Sequence, residues 1–131
     1  MEYQVQTNKP MQVIDITSIV REAVTKSGVM EGIVVVFVPH TTAAVTTNEN
    51  TDPNVGYDFI TDINSVFPEK TIHRHLEGNS HAHIKAGLIG SSVTVIIQGG
   101  KLKLGPWQGV FFCEFDGPRN RKVYIKTVKS E

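Results

Sequence analysis

The sequence predicts an α+β fold resting mostly on an antiparallel β-sheet or sandwich. Three observations point to it. Short β-branched and aromatic runs crowd the carboxyl-terminal third, Gly-bearing turns separate them, and about three segments carry helical spacing. Tyr3 to Gln6 and Met11 to Ile14 alternate apolar and polar side chains around Asn8, Lys9 and Pro10, which predicts an opening β-hairpin. Asp15, Thr17 or Ser18 can cap a first helix whose Ile16, Ile19, Val20, Ala23 and Val24 recur at helical spacing up to Gly28. The β-branched block from Gly32 to Pro39 reads as a strand buried on both faces, followed by a second strand from Ala43 to Thr47.

Asp52 and Pro53 suit an N-cap and first turn. Val55, Phe59, Ile63 and Val66 then repeat every three or four residues up to Pro68, predicting a second helix. Asn79 can cap a third, through Ile84 and Leu88 to Gly90. Strands are expected at Ser92 to Gln98, Lys101 to Leu104, Trp107 to Phe115 and Lys122 to Val128, with turns at Gly99-Gly100 and Gly117-Pro118. No linker, low-complexity segment or long-period repeat interrupts the chain, so residues 1–131 are expected to form one domain.

Composition narrows the function. Thirteen Lys plus Arg balance thirteen Asp plus Glu, so no net positive field draws the chain to nucleic acid or anionic lipid. The longest apolar run, Ile33 to Val38, is far too short to span a membrane. The amino-terminal stretch lacks a basic segment followed by a long apolar one, and no Asn-x-Ser/Thr acceptor occurs, so a cytoplasmic protein is expected. A single cysteine, Cys113, excludes an internal disulfide and a multi-cysteine zinc site, leaving His, Asp and Glu as the available metal ligands. P-loop, dinucleotide-binding, GxSxG and HExxH signatures are absent.

Four of the five histidines fall between positions 73 and 83, in TIHRHLEGNSHAH. Such a cluster can bind a divalent ion, move protons, or decorate a solvated loop. His73 and His75 would share a face if extended, whereas His81 and His83 on a helix diverge by about 200° and cannot enter one site. His40, directly after the apolar block, can face a cleft with the hydroxyls of Thr41 and Thr42 beside it. Glu49 and Asp52 lie close together before the second helix. Trp107, Gln108, Glu114, Asp116, Arg119 and Arg121 surround a tight turn, where arginines suit phosphate or carboxylate and acids suit a hard cation; equally, they can pair with one another.

Three stretches, PHTTAAVTTNENTDPNV, HLEGNSHAHIKAGLIGSSVTV and LKLGPWQGVFFCEFDGPRNRKV, together resemble the YjbQ-like family across nearly the whole chain. The resemblance implies a YjbQ-like fold, a homotrimer, and pockets of motif residues near subunit boundaries. Matched by motif, these are His40, Glu49, Asp52, His75, Asn79, His83, Trp107, Gln108, Glu114, Asp116 and Arg119; His73 and His81 fall outside the pattern. The implied activity is secondary thiamine-phosphate synthesis, in which a thiazole phosphate nitrogen displaces pyrophosphate from an aminopyrimidine methyl pyrophosphate. For that reaction Asp116, Glu114 and Glu49 are candidates to hold Mg²⁺, Arg119 to grip phosphate and Trp107 to stack on a ring. His40, His75 and His83 are candidate ligands of a divalent metal, Mg or Zn, or proton carriers. A non-catalytic homotrimer binding a metal or small anionic metabolite, and a metal-dependent hydrolase, are the alternatives.

Overall fold

The computed structural model describes residues 1–130. Strands β1 (Glu2–Gln6) and β2 (Gln12–Asp15) precede α1 (Thr17–Ser27); β3 (Glu31–Phe37) and β4 (Ala43–Glu49) precede α2 (Pro53–Val66) and α3 (Ser80–Ile89). The chain ends in β5 (Ser92–Gln98), β6 (Lys101–Leu102), β7 (Gln108–Glu114) and β8 (Asn120–Lys129). The strands form a five-stranded sheet in the order β1-β8-β3-β5-β6 and a three-stranded sheet, β2-β7-β4, and every pairing is antiparallel.

The predicted opening hairpin does not form. β1 pairs with β8, setting Val5 opposite Arg121, while β2 pairs with β7, setting Val13 opposite Cys113. The Asn8–Pro10 segment is a crossover between sheets, as is the Gly117–Pro118 segment that returns the chain from β7 to β8. The two run side by side, tied by Thr7 N to Arg119 O at 3.0 Å and Gly117 N to Pro10 O at 3.0 Å. This corner positions much of the candidate site.

Both faces of the three-stranded sheet are covered. Val45, Val110 and Phe112 join a core with Val34, Val36, Ile97 and Ile125 of the larger sheet and Val20 and Val24 of α1. On the other side, Ala44, Cys113 and Phe115 lie under Ala82 and Ala86 of α3 and Phe59, Ile60 and Ile63 of α2. The period-2 pattern of strands and the i, i+3, i+4 pattern of helices put these residues inward without exception of type.

The larger sheet has only one covered face, which corrects the expectation for β3. Val34 and Val36 are buried, but Ile33 and Phe37 are 36% and 42% exposed. Register places Ile33 between Ile96 and Val128, and Phe37 beside Tyr124, so the outer surface carries apolar cross-strand rows. Edge strand β6 is shorter than predicted, although Lys103 N still bonds Ile96 O at 2.8 Å.

Helix ends follow the sequence with two refinements. Asp15 caps α1 from one position outside the formal cap, its Oδ1 accepting from Thr17 N at 2.9 Å, and Gly28 ends the helix with φ of 70°. Asp52 caps α2 through Asn54 N. Asn79 occupies the α3 cap position without capping. Glu69, ten residues earlier in the chain, accepts instead from Ser80 N and His81 N at 3.3 Å each.

Candidate functional site

Three histidines from separate parts of the chain converge on one hollow of about 380 Å³. His40 arrives from the β3–β4 connection, His75 from the turn before α3, and His83 from the first turns of α3. The His75 and His83 rings stand perpendicular, with centroids 5.2 Å apart. His40 Nε2 accepts the Lys122 backbone N–H at 2.9 Å, which fixes the ring against β8 and requires that nitrogen to be unprotonated. Burial, and after it the charge of Arg121, hold the His40 imidazole below its ordinary 6.5.

The expected divergence of His81 and His83 holds. His83 faces the hollow, while His81 turns to Lys85, with Nδ1 2.7 Å from its ammonium. His73 and His75 do not share a face, because the segment between α2 and α3 is turned rather than extended; His73 folds back onto the Glu69 carboxylate. Glu69 therefore fastens both the start of this segment and the start of α3. It carries no motif signal, and only its position before a His-rich turn could have hinted at the role.

The crossover from β7 to β8 supplies the polar wall. Asp116 Oδ2 accepts from Asn79 Nδ2 at 2.8 Å and from Arg119 Nη2 at 2.9 Å, while Arg119 Nε donates to the Asp116 carbonyl at 2.7 Å. Burial pushes the Asp116 carboxyl upward, but the Asn79 and Arg119 hydrogen bonds and the arginine charges outweigh it and hold the group below the usual carboxylate range. Arg119 remains about half exposed, with a guanidinium edge available to an anion. Asn79 is nine-tenths buried, and its Oδ1 has no hydrogen-bond partner.

Beneath this wall Glu114 and Arg121 form a buried ion pair. Glu114 also accepts from Thr7 Oγ1 at 2.7 Å, and Arg121 donates to Thr42 Oγ1 at 2.8 Å. Glu114 is thus the counter-ion of Arg121 and is fully buried, which removes it from a cation at the surface of the hollow.

The remaining expected site residues lie elsewhere. In the β4–β7 ladder Ala43 faces Glu114 whereas Glu49 faces Gln108, so the two ends stand six residues, about 20 Å, apart. Glu49, Asp52, Trp107 and Gln108 occupy the far end. Asp52 caps α2, Gln108 Oε1 accepts from Gly105 N at 2.8 Å, and Trp107 is 64% exposed. Glu49 borders a crevice of about 20 Å³ under α2, too small for a substrate. Asp116, Glu114 and Glu49 therefore do not meet at one Mg²⁺ within a chain. Among the described residues no group of three His, Cys, Asp or Glu side chains is arranged to hold a metal ion, and His40 Nε2 is already occupied.

Comparison with known proteins gives the lineage. Residues 1–130 match the family model described as UPF0047 protein YjbQ-like. The chain is 50% identical over 127 residues to the UPF0047 protein MJ1081 of Methanocaldococcus jannaschii, covering 97% of this chain and 92% of that one. It is 46% identical over 124 residues to the UPF0047 protein YugU of Bacillus subtilis, covering 94% of each. Among solved structures, an uncharacterized conserved protein of the YjbQ/UPF0047 family from Clostridium acetobutylicum superposes with a TM-score of 0.96 at 55% identity, over 98% of this chain and 99% of that one. A hypothetical protein from Aeropyrum pernix K1 superposes at 0.94 with 36% identity, over 99% and 98%. Matched from end to end in both sequence and fold, this chain belongs to the YjbQ-like UPF0047 family.

Proposed function

We propose that the hollow shared by His40, His75 and His83 is the substrate site of an enzyme acting on a small phosphorylated compound, and that it supports the thiamine-phosphate synthesis the family motifs imply. The observation that carries this reading is the convergence of the three imidazoles with the Asp116-oriented guanidinium of Arg119. Arg119 offers a planar pair of donors for phosphate oxygens, and Asp116 limits its movement. His40 is kept neutral by burial and by the neighbouring guanidinium of Arg121, and with Nε2 accepting from Lys122 N–H its proton lies on Nδ1, so its remaining ring nitrogen is a hydrogen-bond donor.

In the implied reaction the carbon–oxygen bond to pyrophosphate breaks, the leaving group takes the electron pair, and the thiazole nitrogen forms the new bond to that carbon. Charge develops on the departing pyrophosphate, where the Arg119 guanidinium and imidazole N–H donors would be worth most. No step in this reading passes through a metal ion. The test is formation of thiamine phosphate from both substrates by wild-type protein, with folded His75→Ala and Asp116→Ala variants alongside. Loss of turnover in both supports the site; unchanged turnover in both removes it from this reaction. Wild-type protein with no turnover would leave a non-catalytic metabolite-binding role.

A homotrimer is part of the same reading. The uncovered rows of Ile33, Ile96 and Val128 and of Phe37 and Tyr124 support burial against further copies, and assembly is a route by which Glu49 and Trp107 of one copy could approach the His-lined hollow of another. Sedimentation velocity checks the stoichiometry. A cytoplasmic location accords with phosphorylated substrates of this kind and with the absence, among the described residues, of a helix long and apolar enough to cross a membrane.

A further inference from the structure

The stretch Asp116-Gly117-Pro118-Arg119 carries the polar wall, and its backbone is held at every donor it has. Asp116 N–H donates to Glu114 Oε2 at 3.3 Å, Gly117 N–H donates to the Pro10 carbonyl at 3.0 Å, and Pro118 has no N–H to give. Arg119 N–H donates to the Thr7 hydroxyl at 2.8 Å, while the Arg119 carbonyl accepts Thr7 N–H at 3.0 Å. Thr7 therefore grips the backbone of the arginine on both sides.

Thr7 is itself fixed. It is fully buried just past the end of β1, with Glu114 Oε1 at 2.7 Å and the Arg119 carbonyl at 3.1 Å from its hydroxyl. The nearer, charged oxygen takes the single hydroxyl proton, which leaves an Oγ1 lone pair to receive Arg119 N–H. Glu114 is held in turn by Arg121. A Cβ added to Gly117 would lie 2.9 Å from Thr7 Oγ1 and would collide with the Lys9 carbonyl oxygen, so the two crossovers touch without slack. The buried ion pair and the half-exposed guanidinium of Arg119 are joined through one hydroxyl.

Resting on the phosphate reading above, we infer that Thr7 is a positioning residue of the anion site: its hydroxyl, fixed by Glu114, holds the Arg119 backbone so that the guanidinium stays over the hollow for a phosphate. Arg119 spends Nε and one Nη2 donor on Asp116, and its other guanidinium N–H groups have no protein acceptor among the described residues. Where those free donors stand depends on the backbone that carries them, because their anchor, Asp116, belongs to the same corner. Thr7 does not line the hollow and lies outside the three motif stretches, so it acts only through Arg119. Placing a donor fork before the ligand arrives lowers the ordering cost of binding.

The experiment titrates inorganic phosphate calorimetrically into the intact wild-type protein, Thr7→Val, Thr7→Ser, Arg119→Ala and the Thr7→Val/Arg119→Ala double variant. Valine keeps the branched shape and removes the hydroxyl; serine keeps the hydroxyl. Thr7→Val should weaken phosphate binding by about fivefold and Thr7→Ser by less than about twofold. In the double variant, loss of the Thr7 hydroxyl should add nothing to the effect of Arg119→Ala. Without phosphate, the Arg119 Nε–H signal in ¹H–¹⁵N spectra should exchange with solvent faster in Thr7→Val than in wild type and at the wild-type rate in Thr7→Ser.

Thr7→Val protein that binds phosphate as wild type does overturns the positioning role while leaving the phosphate reading in place. So does an equal loss with and without the Arg119 side chain, since that is general loosening of the fold rather than placement of the guanidinium. An unchanged Arg119 Nε–H exchange rate also overturns it. Wild-type protein that binds no phosphate overturns the phosphate reading, and the positioning role falls with it. Should Thr7→Val not fold, wild-type hydrogen exchange decides: the Arg119 backbone amide is expected to be protected by the Thr7 hydroxyl, and exchange at the rate of unstructured chain overturns the inference.

Discussion

Arg121 and Glu114 are joined as a doubly hydrogen-bonded ion pair across the corner between β7 and β8, with both side chains at least 95% buried. Thr7 and Thr42 complete the set, so the pair locks the amino-terminal strand, the HTTAA segment and the corner bearing Asp116 and Arg119 to one point. Truncating one partner leaves the other charged and unpaired in the interior. Glu114→Ala should therefore cost about 3–5 kcal/mol of unfolding free energy. The double variant Glu114→Leu with Arg121→Met should recover most of that loss, and urea denaturation of the three proteins measures it. A double variant no more stable than Glu114→Ala would show that the loss comes from packing rather than from the stranded charge.

Arg119 makes the opposite prediction. Its pair with Asp116 is half exposed, so Arg119→Ala should change stability by no more than about 1 kcal/mol. Binding of inorganic phosphate should weaken by roughly tenfold or more, in keeping with about 1.5–3 kcal/mol for a hydrogen bond to a charged group. Arg119→Lys, which keeps the charge but not the fork, should fall between. Calorimetric titration of the variants settles the ordering, and an Arg119→Ala protein that binds phosphate as wild type does would exclude this residue from the anion site.

His40 links the site to pH. Its imidazole is held below the ordinary 6.5 by burial and by Arg121, so the unfolded chain takes up the proton first as the solution is acidified. The stability associated with His40 is fully present above about 6.5 and is lost as pH falls through the lowered folded value. His40→Gln, whose amide oxygen can still accept from Lys122 N–H, should show a smaller loss of stability between pH 7 and pH 5 than wild type. Part of the slope should remain, because His81 is shifted in the same direction by burial and by Lys85. Denaturation midpoints at several pH values make the comparison.

Cys113 is fully buried on β7, and burial pushes its thiol up to about 12. It should resist alkylation by iodoacetamide at pH 8 while the protein is folded and react once urea unfolds the chain. Mass spectrometry before and after denaturation distinguishes the two states. Rapid labelling of folded protein would show that the sheet opens beneath α2 and α3.

Much of this molecule is legible in local sequence. Asp52-Pro53 and Gly28 announce their helix ends, and β-branched alternation announces the strands, because each signal acts over a few residues. Pairing is a different matter. Residues 3–6 and 11–14 look like a hairpin because nothing near them reveals that their partners lie more than 90 residues away in β8 and β7. The same limit governs the site. His40, His75 and His83 are visible as candidates, yet only the sheet register shows that Glu49 and Trp107 stand at the other end of the β4–β7 ladder. Glu114 could not be read as a counter-ion from sequence, since its burial depends on Thr7, Thr42 and Arg121 meeting over it.

The strand order of the larger sheet also bears on biosynthesis. Residues 120–129 lie between the first strand and β3 and hydrogen-bond to both, so neither of those earlier segments can acquire that neighbour until translation has passed position 129. While the ribosome is still at work, the β3–β5 pair must wait with one flank unpaired, a template for sticking to other nascent chains. Emergence of β8 is the event that closes that flank, and a message stopped before it would yield a product prone to clump rather than a smaller working domain.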